Sequence, residues 1–319
     1  MESLFIKVPK KDGEKTRQTL LGQGVIDKGL KIRSDGRDVL IPVIKIIEGA
    51  GDLGRGDFET LEKKVLPDIE AAYELIGNIA IIDQHEIDAQ QTANALLKHK
   101  NIKTVLQAQS PVAGEYRTRQ LSFITGENRT ETTYRENECR FLLDVAQVYF
   151  TPRLSSERMR IADQIRDGDK IVDMFAGVGP FSILIAKKNT SSEVIAIDKN
   201  PVAIKYLREN VRINKVKNVI VREGDARDEA KGIKDADHII MNLPHSSLEF
   251  LDAALSMIRK GGIIHLYAIA HENDLFDGIL KSIEEIASRY DLRVSHLDRR
   301  IVRPYAPYQF NICIDFLVE

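Results

Sequence analysis

Residues 173–186, DMFAGVGPFSILIA, hold the densest chemistry in the chain. An acid, Asp173, ends an apolar run; Gly177 and Gly179 follow, and Pro180 opens a helical pattern. Glycines let a backbone turn sharply and approach a ligand closely, and proline suits the first turn of a helix. A dinucleotide loop would read G-x-G-x-x-G, but Ser182 takes the third place and leaves that fingerprint incomplete. Two further acids recur at matching places: the run EVIAID ends in Asp198, and NVIVREGDA closes on Asp225. A carboxylate at Asp198 can accept both hydroxyls of a ribose, and one at Asp225 can accept an adenine amino group. Acids at three successive strand ends repel a pyrophosphate and tolerate a cationic, phosphate-free nucleoside. S-adenosylmethionine is such a ligand. Phe175, Lys199 and Ala226 share these turns and complete this side of the candidate cofactor site. Acids at strand ends are also ordinary turn residues, so each says less alone than the set does.

A fourth apolar run ends MNLPHS, with Asn242, Leu243, Pro244 and His245. The Asn side chain offers one acceptor and two donors and can read an amide-like or amino group; Pro244 stiffens the turn. Amine-directed methyltransferases carry a related Asn/Asp-Pro-Pro-aromatic turn. Here Leu243 replaces the first proline and His245 the aromatic, which disfavours a free amine stacked on a ring. No cysteine lies near these turns, against pyrimidine C5 methylation through a cysteine nucleophile. The seven histidines show no metal-ligand spacing, so no metal is expected.

These turns need strands to hold them. From about residue 151 onward, KIVDMF, EVIAID, NVIVREGDA, DHIIMNLP and GGIIHLYAIA are apolar runs of strand length separated by helical segments. Such runs predict strands covered on both faces, hence a parallel, doubly wound α/β sheet whose ligands lie beyond the strands' carboxyl ends. LRVSHLDRRIVRPYAP and FNICIDFLV follow a short loop apart and predict an antiparallel pair at one edge. Residues 52–150 have a different pattern. KKVLPDIEAAYELI predicts a helix; NIAIID and KTVLQA predict strands around the helix EIDAQQTANALLKH; EYRTRQLSFITG, RTETTYRE and ECRFLLDVAQVYF predict further strands. The turn GEN, residues 126–128, suits a hairpin between the first two of these. Residues 1–51 predict a small α/β domain: LFIKV and DVLIPVI as strands, GEKTRQTLLGQG as a helix closed by glycine, then an irregular IIEGAGDLGRGDF. The expected organisation is therefore three domains, 1–51, 52–150 and 151–319.

Composition narrows the partners. At 43% hydrophobic and 29% charged the chain is an ordinary globular composition, and its net charge of −2 gives no global nucleic-acid signature. Local patches would have to carry such contacts. Lys7, Lys10, Lys11, Lys15, Arg17, Lys28, Lys31, Arg33 and Arg37 make the first segment basic, either as a solvated face or as a module contacting RNA backbone. Cys139 and Cys313 have no redox or metal spacing, which suits a reducing compartment. No apolar run reaches the roughly 20 residues of a membrane span, and the start MESLFIKVPKKDGEK is too charged for a signal peptide. The expectation is a cytoplasmic monomer.

The segments GEYRTRQLSFITGENRT, VYFTPRLSSERMRI, VDMFAGVGPFSI, MNLPHSS and RIVRPYAP resemble, in order and spacing, the archaeal and eukaryotic tRNA (guanine-N1)-methyltransferases that modify guanosine 37 beside the anticodon. The resemblance covers most of the chain. It implies a class I, Rossmann-like S-adenosylmethionine-dependent methyltransferase domain, an α+β middle domain fused to it, and a small N-terminal domain that touches the outer corner of tRNA. It further implies a catalytic carboxylate at Glu157, an arginine stabilising the guanine oxygen at Arg117, a base-holding Asn242, and Tyr149 and Arg153 near cofactor and substrate. Pro244 belongs to the cofactor set by the same resemblance.

Chemistry supports those roles. Guanine N1 carries a proton and attacks poorly until a base such as a carboxylate takes it. Charge then moves to O6, where a guanidinium stabilises it. The methyl group passes in line from sulfonium to nitrogen, and the target base must leave the loop stack. Other readings of the same residues stand beside this one. Ser155 and Ser156 look like helix caps, and an acid at Glu157 would then simply favour the helix dipole. Arg117 shares a predicted strand with Arg119, and either could be tied up in an ion pair. Arg299, Arg300 and Arg303 hold phosphates or form an exposed charged turn. Alternative activities are C7 methylation of the wyosine precursor 4-demethylwyosine at the same position, or methylation of another RNA guanine. A non-enzymatic RNA-binding role would predict a broken cofactor loop, and the loop is intact.

Overall fold

The chain is described from a computed structural model, over residues 2–22, 25–27, 30–45, 51–59 and 71–319. It divides into two compact units, residues 1–69 and 70–319.

In the first unit β1 (Glu2–Pro9) lies between β3 (Asp38–Val43) and β4 (Asp52–Asp57), with β2 (Arg33–Asp35) outside β3. Every pairing is antiparallel. The helix α1 (Lys10–Gly22) covers the sheet and buries Leu20 against Ile6, Val8, Ile41 and Val43. One sheet face packed on one helix needs only alternate apolar residues. DLGRGD, expected to be irregular, is β4; Gly54 lets the Phe5 ring of β1 lie within 2.4 Å of where a Cβ would stand. β4 pairs with β1, so this sheet continues past the border expected at residue 51. The expected glycine closure of α1 and Lys28 lie outside the described residues.

In the second unit β5 (Tyr73–Ile76), β6 (Ile79–Ile82), β7 (Thr104–Ala108) and β8 (Leu121–Gly126) form a four-stranded sheet in that order, with α2 (Ala89–Leu97) carrying the parallel crossover from β6 to β7. The helix expected over residues 63–76 lies largely outside the described residues, and its end is the strand β5. The expected hairpin across residues 126–128 does not form, because β8 stays with β7. Instead β9 (Glu131–Glu136) pairs with β10 (Cys139–Asp144). Asn137 and Glu138, both with positive φ (44° and 61°), make the tight turn between them, a conformation that suits two-residue hairpins.

The large sheet runs β13 (Val219–Glu223), β12 (Glu193–Asp198), β11 (Lys170–Asp173), β14 (Ala236–Met241), β15 (Ile258–His271), β17 (Gln309–Val318), β16 (Val294–Ala306). The first five are parallel, and β17 runs antiparallel between β15 and β16. Helices α3 (Ser155–Ala162), α4 (Pro180–Lys188), α5 (Pro201–Asn214), α6 (Ala226–Glu229), α7 (Leu251–Met257) and α8 (Asp277–Ser288) accompany the strands. The doubly wound pattern and its antiparallel edge match the expectation. No packing break marks the expected border at 150/151. Phe141, Leu143 and Phe150 share one buried cluster with Ile161, Phe181 and Leu207. Asn210 of α5 ties β10 in place, accepting from Leu142 N (2.7 Å) and donating to its carbonyl (3.0 Å).

Candidate active site

The order β13-β12-β11-β14 reverses direction at β11, and the strand ends there open a crevice. The loop after β11 enters it. Gly179 caps α4 with φ of 91°, and a Cβ there would lie 2.3 Å from Leu207 Cδ1, so only glycine fits. Gly177 has φ of 55°, and a Cβ on it would meet nothing closer than the Tyr149 carbonyl at 3.9 Å. Gly179 is thus packed against the helix layer, and Gly177 leaves open space for a ligand. Pro180 starts α4.

Around that space stand Glu115, Arg117, Tyr149, Phe175, Gly177, Pro180, Asp198, Lys199, Asp225, Ala226, Asn242 and Phe250. Asp198 accepts hydrogen bonds from Gly177 N (2.6 Å) and Asn200 N (2.8 Å), which clamps the glycine loop to the end of β12. Burial pushes the Asp198 carboxyl up, against those backbone donors. Asp225 caps α6 and is gripped by the Arg227 fork (2.9 and 2.7 Å), with Lys199 at 3.7 Å. The Arg227 side chain holds that carboxyl well below the usual range, against its desolvation. An adenine amino group would therefore share Asp225 with Arg227, whose guanidinium also lies 4.7 Å from the Phe250 ring centre. Phe175 and Phe250 meet edge to face at 5.0 Å.

The charges fit a phosphate-free nucleoside. Among the cations lining the pocket, Lys199 is tied to Glu115 (2.5 Å), Arg227 to Asp225 and Arg158 to Glu136 (2.7 Å). Arg117 makes no ion pair among the described residues and lies 4.6 Å from the Tyr149 ring centre. Arg119 is the neutralised member of that pair, bonded to Glu74 at 2.8 Å. Arg117 is not in a strand as expected; it sits in the loop before β8 with φ of 52°.

Five expected site residues lie off the pocket wall. Asp173 is fully buried and accepts from the Ser182 hydroxyl (2.6 Å); burial pushes its carboxyl up to about 7. Ser182, the residue that spoiled the dinucleotide fingerprint, thus pins the strand end to α4. Gly179 and Pro244 are structural neighbours of the wall; Pro244 is buried and its carbonyl accepts from Ile269 N (3.0 Å). Arg153 lines a second cleft that shares Arg117 and Tyr149 and also holds Arg303 and Tyr305. Arg299 and Arg300 lie in β16, within the expected edge pair, and pair with Asp277 and Asp298.

Glu157 is the fifth. It occupies the first turn of α3, but neither Ser155 nor Ser156 caps that helix, whose N-cap is Leu154 without a side-chain bond. The Glu157 carboxylate is 7% exposed and faces inward. It accepts from Tyr267 Oη (2.8 Å) and from Arg160 Nε (3.0 Å) and Nη2 (2.6 Å). Leu154 and Arg158, on either side of it, do line the pocket. Sequence reasoning missed Arg160, Arg227, Asn200 and Tyr267. A lone tyrosine inside the apolar run GGIIHLYAIA was the available signal, because a buried phenol needs a partner.

A seven-stranded sheet with this order, a glycine loop after its first strand and acids after its second and third define a class I methyltransferase. The chain belongs to the TRM5/TYW2 methyltransferase family, whose domain model matches residues 132–295. A tRNA methyltransferase 5 N-terminal domain matches residues 6–51 and a TYW2 N-terminal domain residues 58–130. The tRNA (guanine(37)-N(1))-methyltransferase Trm5b of Pyrococcus abyssi is 44% identical, covering 99% of each chain. A solved complex of aTrm5 with tRNALeu is 31% identical with a TM-score of 0.70, covering 99% of this chain and 100% of that one. The Methanocaldococcus jannaschii TYW2 structure in complex with AdoMet is 28% identical with a TM-score of 0.63, covering 78% of this chain and 99% of that one. Among the described residues, no helix is long and apolar enough to cross a membrane, and no group of side chains could hold a metal.

Proposed function

We propose that this methyltransferase acts on N1 of the guanosine at position 37 of tRNA, with S-adenosylmethionine as methyl donor. The observation that carries the reading is the pocket itself: an unpaired guanidinium, Arg117, and the amide of Asn242 face the same space as the open side of Gly177. The full-length match to a guanosine-37 enzyme, including its N-terminal domain, supports the substrate.

The bound cofactor supplies an electrophilic methyl group. Asp198 and the Gly177 backbone hold its ribose side, and Phe175, Ala226 and Phe250 give the adenine an apolar slot. Asn242 reads the guanine edge. Arg117 stabilises the charge that builds on O6 as N1 loses its proton. Glu157 takes that proton. The first unit holds the outer corner of tRNA. There Lys10, Lys11, Lys15 and Arg37 are exposed and make no ion pair among the described residues, whereas Lys7, Arg17 and Lys31 pair with Asp38, Glu14 and Glu59. Unpaired cations suit a phosphate backbone. The enzyme works as a cytoplasmic monomer.

Methyl transfer from labelled cofactor to tRNA transcripts tests this. One transcript carries guanosine at position 37, one adenosine, and one the 4-demethylwyosine precursor. Label on guanosine alone is expected. Label on the precursor as well would make the enzyme bifunctional, and label on none would overturn the substrate.

A further inference from the structure

Behind the pocket wall lies a chain of buried polar side chains drawn from four distant segments. The Arg160 guanidinium sits between two carboxylates: it donates to Glu157 as described, and through Nη1 and Nη2 to Asp315 of β17. Asp315 is 2% exposed and also receives His265 Nδ1 (2.8 Å) and Gln164 Nε2 (3.2 Å). His265 Nε2 lies 3.0 Å from His238 Nδ1. On the other side of Glu157, the fully buried Tyr267 of β15 donates its hydroxyl. Its ring packs on Phe181, which lines the pocket (centroids 6.1 Å apart). A buried ionic cluster of this kind is a poor source of stability, because well-packed apolar residues would serve as well. Its geometry does something else: it determines how many donors the Glu157 carboxylate has.

We infer that Tyr267 and Asp315 are positioning residues for Glu157, the first by donating to its carboxylate and the second by sharing Arg160 with it. The inference rests on the reading of Glu157 as the base. Each donor to a carboxylate favours the ionised form, which weakens it as a base while holding it ready in place. Asp315 draws part of the Arg160 fork away and so limits that hold. The charged and titratable groups facing this pair are Arg160 on α3, Tyr267 on β15, Cys313 and Asp315 on β17 (Cys313 Sγ is 3.3 Å from Arg160 Nη2), and Asp298 on β16, 3.9 Å from Arg160 Nη1.

The two residues act in opposite directions, and this makes the inference testable. Single-turnover methyl transfer is measured from pH 5 to 9 with saturating S-adenosylmethionine and guanosine-37 transcript. Tyr267→Phe removes one donor and keeps the ring, so the acid limb of the profile moves to higher pH and the neutral-pH rate falls about tenfold, with tRNA affinity unchanged. Asp315→Asn leaves Arg160 wholly to Glu157, so the acid limb moves to lower pH. Profiles that coincide with the parent, or that move the same way, overturn the inference. If Asp315→Asn does not fold, Tyr267→Phe placed in the Glu157→Gln background decides: no further loss is expected, and an additional tenfold loss overturns it. Glu157→Gln alone separates the two levels. A parental rate there removes the base reading, and the inference with it. A large loss there combined with a parental Tyr267→Phe profile removes the positioning role only.

Discussion

The proposed cofactor side of the pocket and its proposed base side are built in opposite ways. On the proposed cofactor side, each lining residue hangs directly on a strand end of one sheet: Gly177 after β11, Asp198 closing β12, Asp225 after β13. Backbone hydrogen bonds then lock them together, as Asp198 does for Gly177. The proposed base side is assembled from residues 115–117, 149–158, 242 and 267, which no single element connects. Its carboxylate, Glu157, accepts from Tyr267 and Arg160. Sites built on strand ends inherit their geometry from the sheet, whereas sites assembled across segments depend on side-chain partners far away in the chain.

The contrast can be broken most forcefully at Glu157. Glu157→Gln should lower turnover about 10³-fold while filter binding of tRNA stays near parental; equal losses in both would make Glu157 a structural residue. The buried floor of the base side predicts a pH effect. Burial, helped by neighbouring His265, pushes the His238 imidazole down to about 3 from an ordinary 6.5. Below 6.5 the unfolded chain takes up a proton that the folded chain refuses. Stability from this residue is therefore complete above pH 6.5 and declines as pH falls toward 3, by about 2 kcal/mol at pH 5. Urea unfolding should show the gap between His238→Gln and parent narrowing by that amount between pH 7 and 5; a constant gap would contradict the buried neutral state.

On the cofactor side the effects are smaller and separable. Asp198→Ala removes the clamp on Gly177 and a ribose acceptor, and calorimetry should find S-adenosylmethionine bound about tenfold more weakly, a loss of about 1.4 kcal/mol. Unchanged affinity would take Asp198 out of the site. Ser182→Ala should cost about 1 kcal/mol of stability with cofactor affinity little altered, since Asp173 and Ser182 lie behind the wall. A large loss of affinity there would return Asp173 to the binding site.

Much of this was legible from residue types. Strand-length apolar runs ending in Asp173, Asp198 and Asp225 predicted a doubly wound sheet, and the sheet has those ends on one crevice. Glycine placement predicted the loop, because a backbone with positive φ at 179 leaves little choice. Errors came where local patterns competed. Residues 73–76 lie in a stretch of helical pattern yet join β6, since pairing of an apolar edge outweighs propensity over so short a run. GEN looked like a hairpin turn, but β9 found β10, whose Phe141 and Leu143 are buried in the common cluster.

What the amino-acid sequence determined alone is the periodicity, the turn chemistry and the order of the loops, because each depends on neighbours a few residues apart. What only the tertiary structure decided is which charges remain available. Arg119 is neutralised by Glu74 and Arg117 is not; Asp173 is turned inward by Ser182; Glu157 is held by a tyrosine 110 residues away. Whether a charged side chain is spent on a partner depends on distances across the fold, and no local pattern carries that information.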